Sequence, residues 1–324
     1  MKAAVVQQWG AVPVYTDYPE PEPRDGVVVA TVEASALTNL TRGIVSGKHY
    51  ASNEIELPAV PGVDGVVRLD DGRRVYGGGI STLGMMAERT LISAHGNIEV
   101  PDGVDSVTAA ALPNPGMSAW MALEHGAAAR PGQHVLVLGA TGVTGATAVQ
   151  LAKSMFGAGR VVVAGRDTQR LDWLRTVGAD DAIAMRDEDL AERISALHTE
   201  QPFDAVLDYL WGAPAATALQ ALAASHPSSH YHPTRWVQIG SMAGADVELP
   251  AGVLRGTAIT LSGIGIGSVP PEILGRARNE ALPALFEMVA DGRLQLKTQA
   301  RPLAEVAEAW TTAEPSGTRV VLVP

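Results

Sequence analysis

Three glycines in G-x-x-G-x-x-G spacing, Gly139, Gly142 and Gly145, lie between an apolar run at 134–138 and a helix-compatible stretch that reaches about Phe156. That order predicts strand, tight turn and helix N-terminus. The first turn of a helix presents unpaired N–H groups and the positive end of its dipole, which suits a phosphate. Glycine lets the backbone turn sharply and approach a pyrophosphate. Gly139, Ala140, Thr141, Gly142, Val143, Thr144 and Gly145 are therefore candidate cofactor ligands. The spacing departs from the strict G-x-G-x-x-G fingerprint, and a plain βαβ unit could use the same glycines for close packing alone. A second apolar run, 160–164, ends in Gly165-Arg166. An acidic residue at that strand end would bind a ribose 2′-OH. Arg166 instead offers a charge-assisted pair to a 2′-phosphate, with Arg170 one helical turn on. Asp167 is the counter-argument as a ribose ligand, or else the N-cap of a helix from Thr168. A solvated cation is the bland alternative for Arg166. The balance favours NADP(H).

Other chemistries are missing. The 324 residues contain no cysteine, which removes disulfides, thiolate metal sites and a cysteine nucleophile. There is no Tyr-x-x-x-Lys pair and no Gly-x-Ser-x-Gly elbow. His226, His230 and His232 have spacing that could hold a metal. They sit in a Pro/Ser-rich stretch away from the expected cofactor edge, and read as an exposed insertion. No metal is expected.

The elements that must position these groups follow from the pattern. The chain is 46% hydrophobic and 18% charged, with 34 glycines and 21 prolines, a globular composition with many turns. A formal net charge of −11 without a Lys/Arg cluster argues against nucleic acid. No apolar run reaches the ~18–20 residues of a membrane span, and the N-terminus reads as a strand and turn too short for a signal sequence. A cytoplasmic, soluble protein is the expectation. Residues 1 to about 115 alternate short apolar runs with Pro, Gly and Asp, as β-rich chains do. Helical spacing appears at 105–112 and 116–125, separated by Pro113-Asn114-Pro115-Gly116. From 134 onward, six strands alternate with helical patterns, which indicates βαβ crossovers and a doubly wound parallel sheet. Further helical patterns at 272–290, broken at Pro283, and at 303–313 precede a last strand at 318–323.

The chain resembles the medium-chain dehydrogenase/reductase superfamily, in its zinc-free NADPH:quinone oxidoreductase-like branch. The resemblance rests on LPNPGMSAW at 112–120, VLVLGATGVTGATAVQLAK at 135–153, RVVVAGR at 160–166, DAVLDYLWG at 204–212 and LSGIGIGS at 261–268, with PGVDGVV and PLAEVAEAW also similar. It implies an α/β architecture: a GroES-like β-rich catalytic domain (1–115 plus 293–324) and a Rossmann NADP-binding domain (116–292) with a six-stranded sheet. The active site would lie in the cleft between them, and members usually form dimers or tetramers. Zinc-dependent relatives carry Gly-His-Glu where this chain reads Gly62-Val63-Asp64, so a zinc-independent site is implied. Further cofactor ligands implied are Ser118, Asp208, Gly240, Ser241, Met242, Ile264 and Gly265, with turn chemistry as the competing role for Gly240.

The segment at 37–50, LTNLTRGIVSGKHY, is where family members line the substrate pocket, and here the pattern departs. Thr38 stands at the usual Asn place with Asn39 beside it, Thr41 at the usual Asp place, and Gly43 at a place some members fill with tyrosine. Thr38 or Asn39 is the candidate to hold substrate or nicotinamide ribose. Tyr50 is the candidate cap and proton donor, with packing alone as its alternative. Asn114 is a further candidate, or a turn residue. The implied function is NADPH-dependent reduction of quinones or α,β-unsaturated carbonyl compounds, with a small or medium apolar substrate and a homodimeric protein. The alternative is a non-catalytic NADPH-binding protein; a carbonyl or alcohol dehydrogenase is the weaker third reading.

Overall fold

Runs of β-branched residues and short capped helices sort the chain into two compact units, Met1–Asn114 with Leu282–Pro324, and Pro115–Ala281. The computed structural model describes residues 1–79, 81–225 and 231–324. The first unit opens with β1 (Lys2–Val5), β2 (Val14–Asp17), β3 (Val27–Ala36), α1 (Asn39–Val45), β4 (Asp64–Arg68), β5 (Arg74–Gly78), β6 (Arg89–Ser93), β7 (Ile98–Glu99) and α2 (Ser106–Ala111). α3 (Pro113–Met121) leads into the second unit. There follow β8 (His134–Leu138), α4 (Val143–Ser154), β9 (Arg160–Gly165), α5 (Thr168–Thr176), β10 (Asp181–Ala184) and α6 (Leu190–Glu200). That unit ends with β11 (Ala205–Asp208), α7 (Gly212–Ser225), β12 (Pro233–Gln238), α8 (Ala251–Gly256), β13 (Ala258–Gly263) and α9 (Pro271–Arg276). The chain closes in the first unit with α10 (Leu282–Ala290), β14 (Lys297–Pro302), α11 (Val306–Thr311) and β15 (Thr318–Val323).

The second unit is a parallel six-stranded sheet in the order β10-β9-β8-β11-β12-β13. Its central strands are apolar on both faces, as parallel strands covered by helices must be: Val135, Val137, Val161 and Val163 are buried on one side, and Leu136, Leu138 and Val162 join Phe203 and Trp236 on the other. β8 lies between β9 and β11, so strand order reverses there. The carboxyl ends at such a switch point are where open α/β sheets bind ligands.

The first unit pairs β14-β15-β3-β4-β5-β7 in one sheet, with β6 also on β3, and β1 with β2 in a separate ribbon. β3 serves three partners, β4 on one edge and β6 and then β15 along the other, and its register against β4 shifts between Val32 and Ala34, a bulge. β15, from the far end of the chain, pairs with β3 at Val321 and Leu322. Leu37, Val60, Met86, Leu303 and Leu322 share one core, and Val32, Val67, Val75 and Met85 another.

The structure departs from the sequence pattern at three places. Pro113-Asn114-Pro115-Gly116 does not interrupt the helical pattern; it opens α3, because proline in a first turn gives up no intrahelical hydrogen bond. Residues 282–292, which the sequence pattern assigns to the nucleotide-binding domain, group with the first unit. There α10 buries Leu282, Leu285, Phe286 and Met288, and Ala290 lies beside Gly103. α8 has no counterpart in the pattern: it has one buried side chain, Val253, too little periodicity to see. No helix among the described residues is long and apolar enough to cross a membrane.

Candidate cofactor and substrate sites

The glycine turn is built by backbone contacts. Gly139 has φ +80°, and its N–H, with that of Ala140, donates to Ala164 O at 3.0 and 3.1 Å. These bonds carry the chain from β8 across the end of β9. Gly142 is the N-cap of α4, and no side chain caps that end. A Cβ on Gly145 would stand 2.5 Å from Gly139 O and 2.8 Å from Ala140 Cα. A Cβ on Gly165 would collide with Thr141 Cγ2. The helix therefore sits as close to the turn as glycine allows. Val143 and Thr144 begin the helix half-buried while Gly142 is exposed, which leaves the first-turn N–H groups at an open end. An anion is what such an end accommodates.

Arg166 follows β9 and is exposed. Asp167 Oδ1 accepts from Arg170 N at 3.1 Å, so Asp167 is the N-cap of α5 and its carboxylate is engaged there. The Arg170 guanidinium lies 4.0 Å over the Trp173 ring, and burial lowers its pKa. The two arginines thus differ: one is turned to solvent, the other stacked along its own helix.

At the end of β11, Asp208 is fully buried, and its Oδ1 accepts from Leu210 N and Trp211 N, both at 2.9 Å. Burial raises its pKa against those two bonds and the nearby Trp236 indole. This loop holds Trp211 at φ +55°, followed by Gly212 at φ +61°. Tyr209 is buried, its hydroxyl has no hydrogen-bond partner among the described residues, and burial pushes its phenol up. A Cβ on Gly240 would meet Tyr209 O at 2.8 Å, so this glycine lets two strand-end loops close on each other. Ser241 and Met242 are exposed beyond it. Ile264 is buried and its N–H donates to Gln238 O at 2.8 Å; Gly265 is exposed. Because every strand is parallel, residues 139–145, 165–166, 208–211, 240–242 and 264–265 all reach the same edge of the sheet. Ser118 is half-buried on α3, as is Asn114 at the start of that helix. The segment after α3 packs at Gly126 towards Val237 and Ile264. An uncapped helix end, a glycine cradle that a Cβ would fill and an orphaned buried phenol on this edge fit a dinucleotide.

The first unit holds the segment at 37–50. Thr38, fully buried, is the N-cap of α1: its Oγ1 accepts from Thr41 N at 3.1 Å and lies 3.0 Å from Thr41 Oγ1. Asn39 is exposed at the helix start. Tyr50 is 55% exposed, opens a short 3-10 turn, and stacks on His49 with ring centroids 4.1 Å apart. The pocket in this unit is a cleft partly open to solvent, and Tyr50 is not among the side chains that line it. Thr41, Ile44 and Val45 from α1 do line it, with Trp9, Ile55, Leu57 and Val63. Sequence reasoning misses Trp9, Ile55 and Leu57. The signal is faint: they are scattered apolar residues in irregular chain, gathered only by the fold.

In the pocket wall, Gly62 has φ +117°, and a Cβ there would meet Met85 N and Met86 N at 2.8 Å. Asp64, two residues on, is buried and accepts from Tyr76 Oη at 2.8 Å, while its Oδ2 has no partner among the described residues. Burial pushes its carboxyl up to about 6, with the Tyr76 bond and the Arg319 charge pulling the other way.

His226 and His230 lie outside the described residues. His232 precedes β12 at the amino edge of the sheet, with Nε2 3.2 Å from Phe203 O and 3.5 Å from Asp204 Oδ1. No group of three or more His, Cys, Asp or Glu among the described residues is arranged to hold a metal.

Residues 143–278 match the family described as zinc-binding dehydrogenase. The chain is 27% identical to a probable NADPH-dependent quinone reductase, tdiC, of Emericella nidulans, with all of both chains covered. It is 33% identical to the 2-methylene-furan-3-one reductase of Solanum lycopersicum over 56% of this chain and 52% of that one. Among solved structures, the quinone oxidoreductase of Thermus thermophilus, also determined in complex with NADPH, superposes with a TM-score of 0.81 at 28% identity, covering 100% of both chains. Fold, glycine turn and these likenesses agree: the chain is similar to the medium-chain dehydrogenase/reductase superfamily, and within it to the quinone reductase-like branch.

Proposed function

We propose that this oxidoreductase is a zinc-independent, NADPH-dependent reductase of quinones or α,β-unsaturated carbonyl compounds. The observation that carries the reading is the largely apolar pocket of the first unit, where Val63 occupies the place at which zinc-dependent relatives carry histidine. A site without a Lewis acid suits acceptors that take hydride without one: the ring system of a quinone or the β-carbon of an enone.

The residues 139–145 and the α4 N-terminus bind the pyrophosphate, and Arg166 takes the 2′-phosphate. Ser118, Asp208, Gly240, Ser241, Met242, Ile264 and Gly265 complete the cofactor edge, with Asp208 acting by shaping its loop through two backbone bonds. Bound NADPH supplies the hydride. Thr38 Oγ1 accepts from Thr41 N and pairs with Thr41 Oγ1 at 3.0 Å; with the Thr38 proton in that pair, the Thr41 proton is left to donate to a substrate carbonyl. Asn39 and Tyr50, both exposed, serve at the rim. Apolar lining limits water along the hydride's path, and the one proton that completes the reduction comes from solvent. The edge strand β13, with Leu261 36% exposed, is the surface for a homodimer.

The test is NADPH oxidation with a panel of quinones and enones. Turnover with either class is the expected result. Inactivity on both, with NADPH bound as shown by fluorescence, would favour the second reading, a non-catalytic NADPH-binding protein. The departures at Thr38, Thr41 and Gly43 are the observation behind that alternative.

A further inference from the structure

Trp9 stands apart from the rest of the pocket. The other described side chains that line it are aliphatic or carry only a hydroxyl, as at Val6, Ile44, Ile55, Leu57 and Thr41. Trp9 is the single aromatic among them and keeps 39% of its surface exposed. A core tryptophan would be covered; Trp236, in the other unit, is fully buried.

The indole is also held in place. The chain turns at 8–11, with Ala11 N donating to Gln8 O at 3.1 Å and Gly10 at φ +80°. Gly10 N donates to Val45 O at 2.7 Å, which ties the turn to the end of α1. Gly47 sits just beyond that helix at φ +73°, and a Cβ there would stand 2.8 Å from Trp9 Cβ and 3.0 Å from Cγ. One edge of Trp9 is thus pressed against a glycine that nothing larger could replace, while the ring remains a wall of the pocket. A fixed aromatic wall costs little entropy to use in binding.

Flat rings are what such a wall selects. Offset stacking between aromatic systems contributes about 0.5–1.5 kcal/mol beyond area burial. The opposite walls are branched aliphatic side chains, which pack on either a ring or a chain. An open-chain enone gains burial here but no stacking.

We propose that Trp9 is a specificity-determining residue that stacks on the acceptor ring and makes this pocket prefer quinones to open-chain enones. The inference rests on the reductase reading above. The reaction it favours is a hydride to the quinone and a proton from solvent, which together give the hydroquinone and the oxidised cofactor.

The experiment compares wild type with Trp9→Phe and Trp9→Leu, using naphthoquinone and an open-chain enone of matched hydropathy. The readout is the ratio of the two kcat/KM values. Trp9→Leu should lower that ratio about three- to tenfold, the range set by one aromatic stacking contact. Trp9→Phe should retain most of it. A ratio unchanged in Trp9→Leu would overturn the proposal. A second measurement stands free of turnover: quenching of protein fluorescence by naphthoquinone without NADPH. Wild type should show a saturable component that Trp9→Phe lacks. Equal quenching in both would also overturn the proposal. Absence of turnover by wild type on both substrates would count against the reductase reading instead, while the quenching difference still decides whether Trp9 meets the ring. Thermal midpoints of the variants separate loss of packing over Gly47 from loss of ligand contact.

Discussion

The turn at 139–145 and the segment at 37–50 teach opposite lessons about how function is written into a chain. The first works through backbone. Its glycines are required by close approach, as the 2.5 Å clearance at Gly145 shows, and the groups offered to a ligand are N–H groups that every residue but proline carries. The second works through side chains on a short helix and the irregular chain around it. Thr38 caps the helix and pairs with the Thr41 hydroxyl, Thr41 faces the pocket, and Tyr50 turns outward. Backbone devices keep a pattern that spacing reveals. Side-chain devices can be rebuilt residue by residue without disturbing the fold.

The hardest test of this contrast is Gly145→Ala. A methyl there meets a backbone oxygen and a backbone carbon, neither of which is the end of a flexible chain. Overpacking of this kind costs about 1–3 kcal/mol, and here the upper end applies. The expected outcome is a thermal midpoint lowered by several degrees and NADPH affinity reduced by more than about tenfold. An alanine variant that binds NADPH as wild type does would show that the turn is not closely packed, and the backbone half of the comparison would fail.

Asp64→Asn probes the other region from behind its wall. The carboxyl titrates at about 6 when folded, against an ordinary value of 3.8. Its folded pKa is raised, so the folded state holds a proton that the unfolded state releases. Stability from this group is therefore full below about pH 4 and is lost as pH rises to about 6. That difference corresponds to about 2–3 kcal/mol. Wild type should lose thermal stability across that window relative to Asp64→Asn, which cannot ionise and still offers Tyr76 an acceptor. Parallel pH profiles for the two proteins would mean that the pocket wall does not depend on a buried carboxyl.

Fold and cofactor edge are legible because periodicity reports burial and glycine spacing reports backbone. The six strands of the parallel sheet can be placed from continuous apolar runs such as 134–138 and 160–164, with ends that differ by a few residues at β11 and β12. In the sequence Asp167 stands between two roles; the bond from Arg170 N resolves it as a cap. The pocket is not legible. Trp9, Ile55 and Leu57 come from chain with no period, and their convergence depends on a turn tied to α1 and on the path from 50 to 63. Nothing in a residue's own neighbours announces that it will line a cavity made by distant ones.

The two arginines beyond β9 sharpen the backbone side. Arg166 is exposed at the strand end, whereas Arg170 is stacked on Trp173. A charge-assisted hydrogen bond is worth about 1.5–3 kcal/mol, so Arg166→Ala should weaken NADPH about ten- to hundredfold and leave NADH affinity unchanged. Titration of both cofactors by fluorescence decides it. Loss of discrimination in Arg170→Ala, with none in Arg166→Ala, would reassign the 2′-phosphate to the stacked residue.

The smallest expected effect separates capping from chemistry at Thr38. Removing an N-cap hydroxyl costs about 1 kcal/mol. Thr38→Ser keeps the oxygen that accepts from Thr41 N and the hydroxyl that lies 3.0 Å from Thr41 Oγ1, whereas Thr38→Ala keeps neither. If capping is all that Thr38 does, Thr38→Ala lowers the thermal midpoint by a few degrees and leaves KM and kcat in place. If Thr38 also orients the Thr41 hydroxyl toward a carbonyl, kcat/KM falls in Thr38→Ala beyond what the stability change explains, and Thr38→Ser restores it. The second pattern is the one that the proposed donation from Thr38 requires, since Thr41 can donate outward only while Thr38 donates to it.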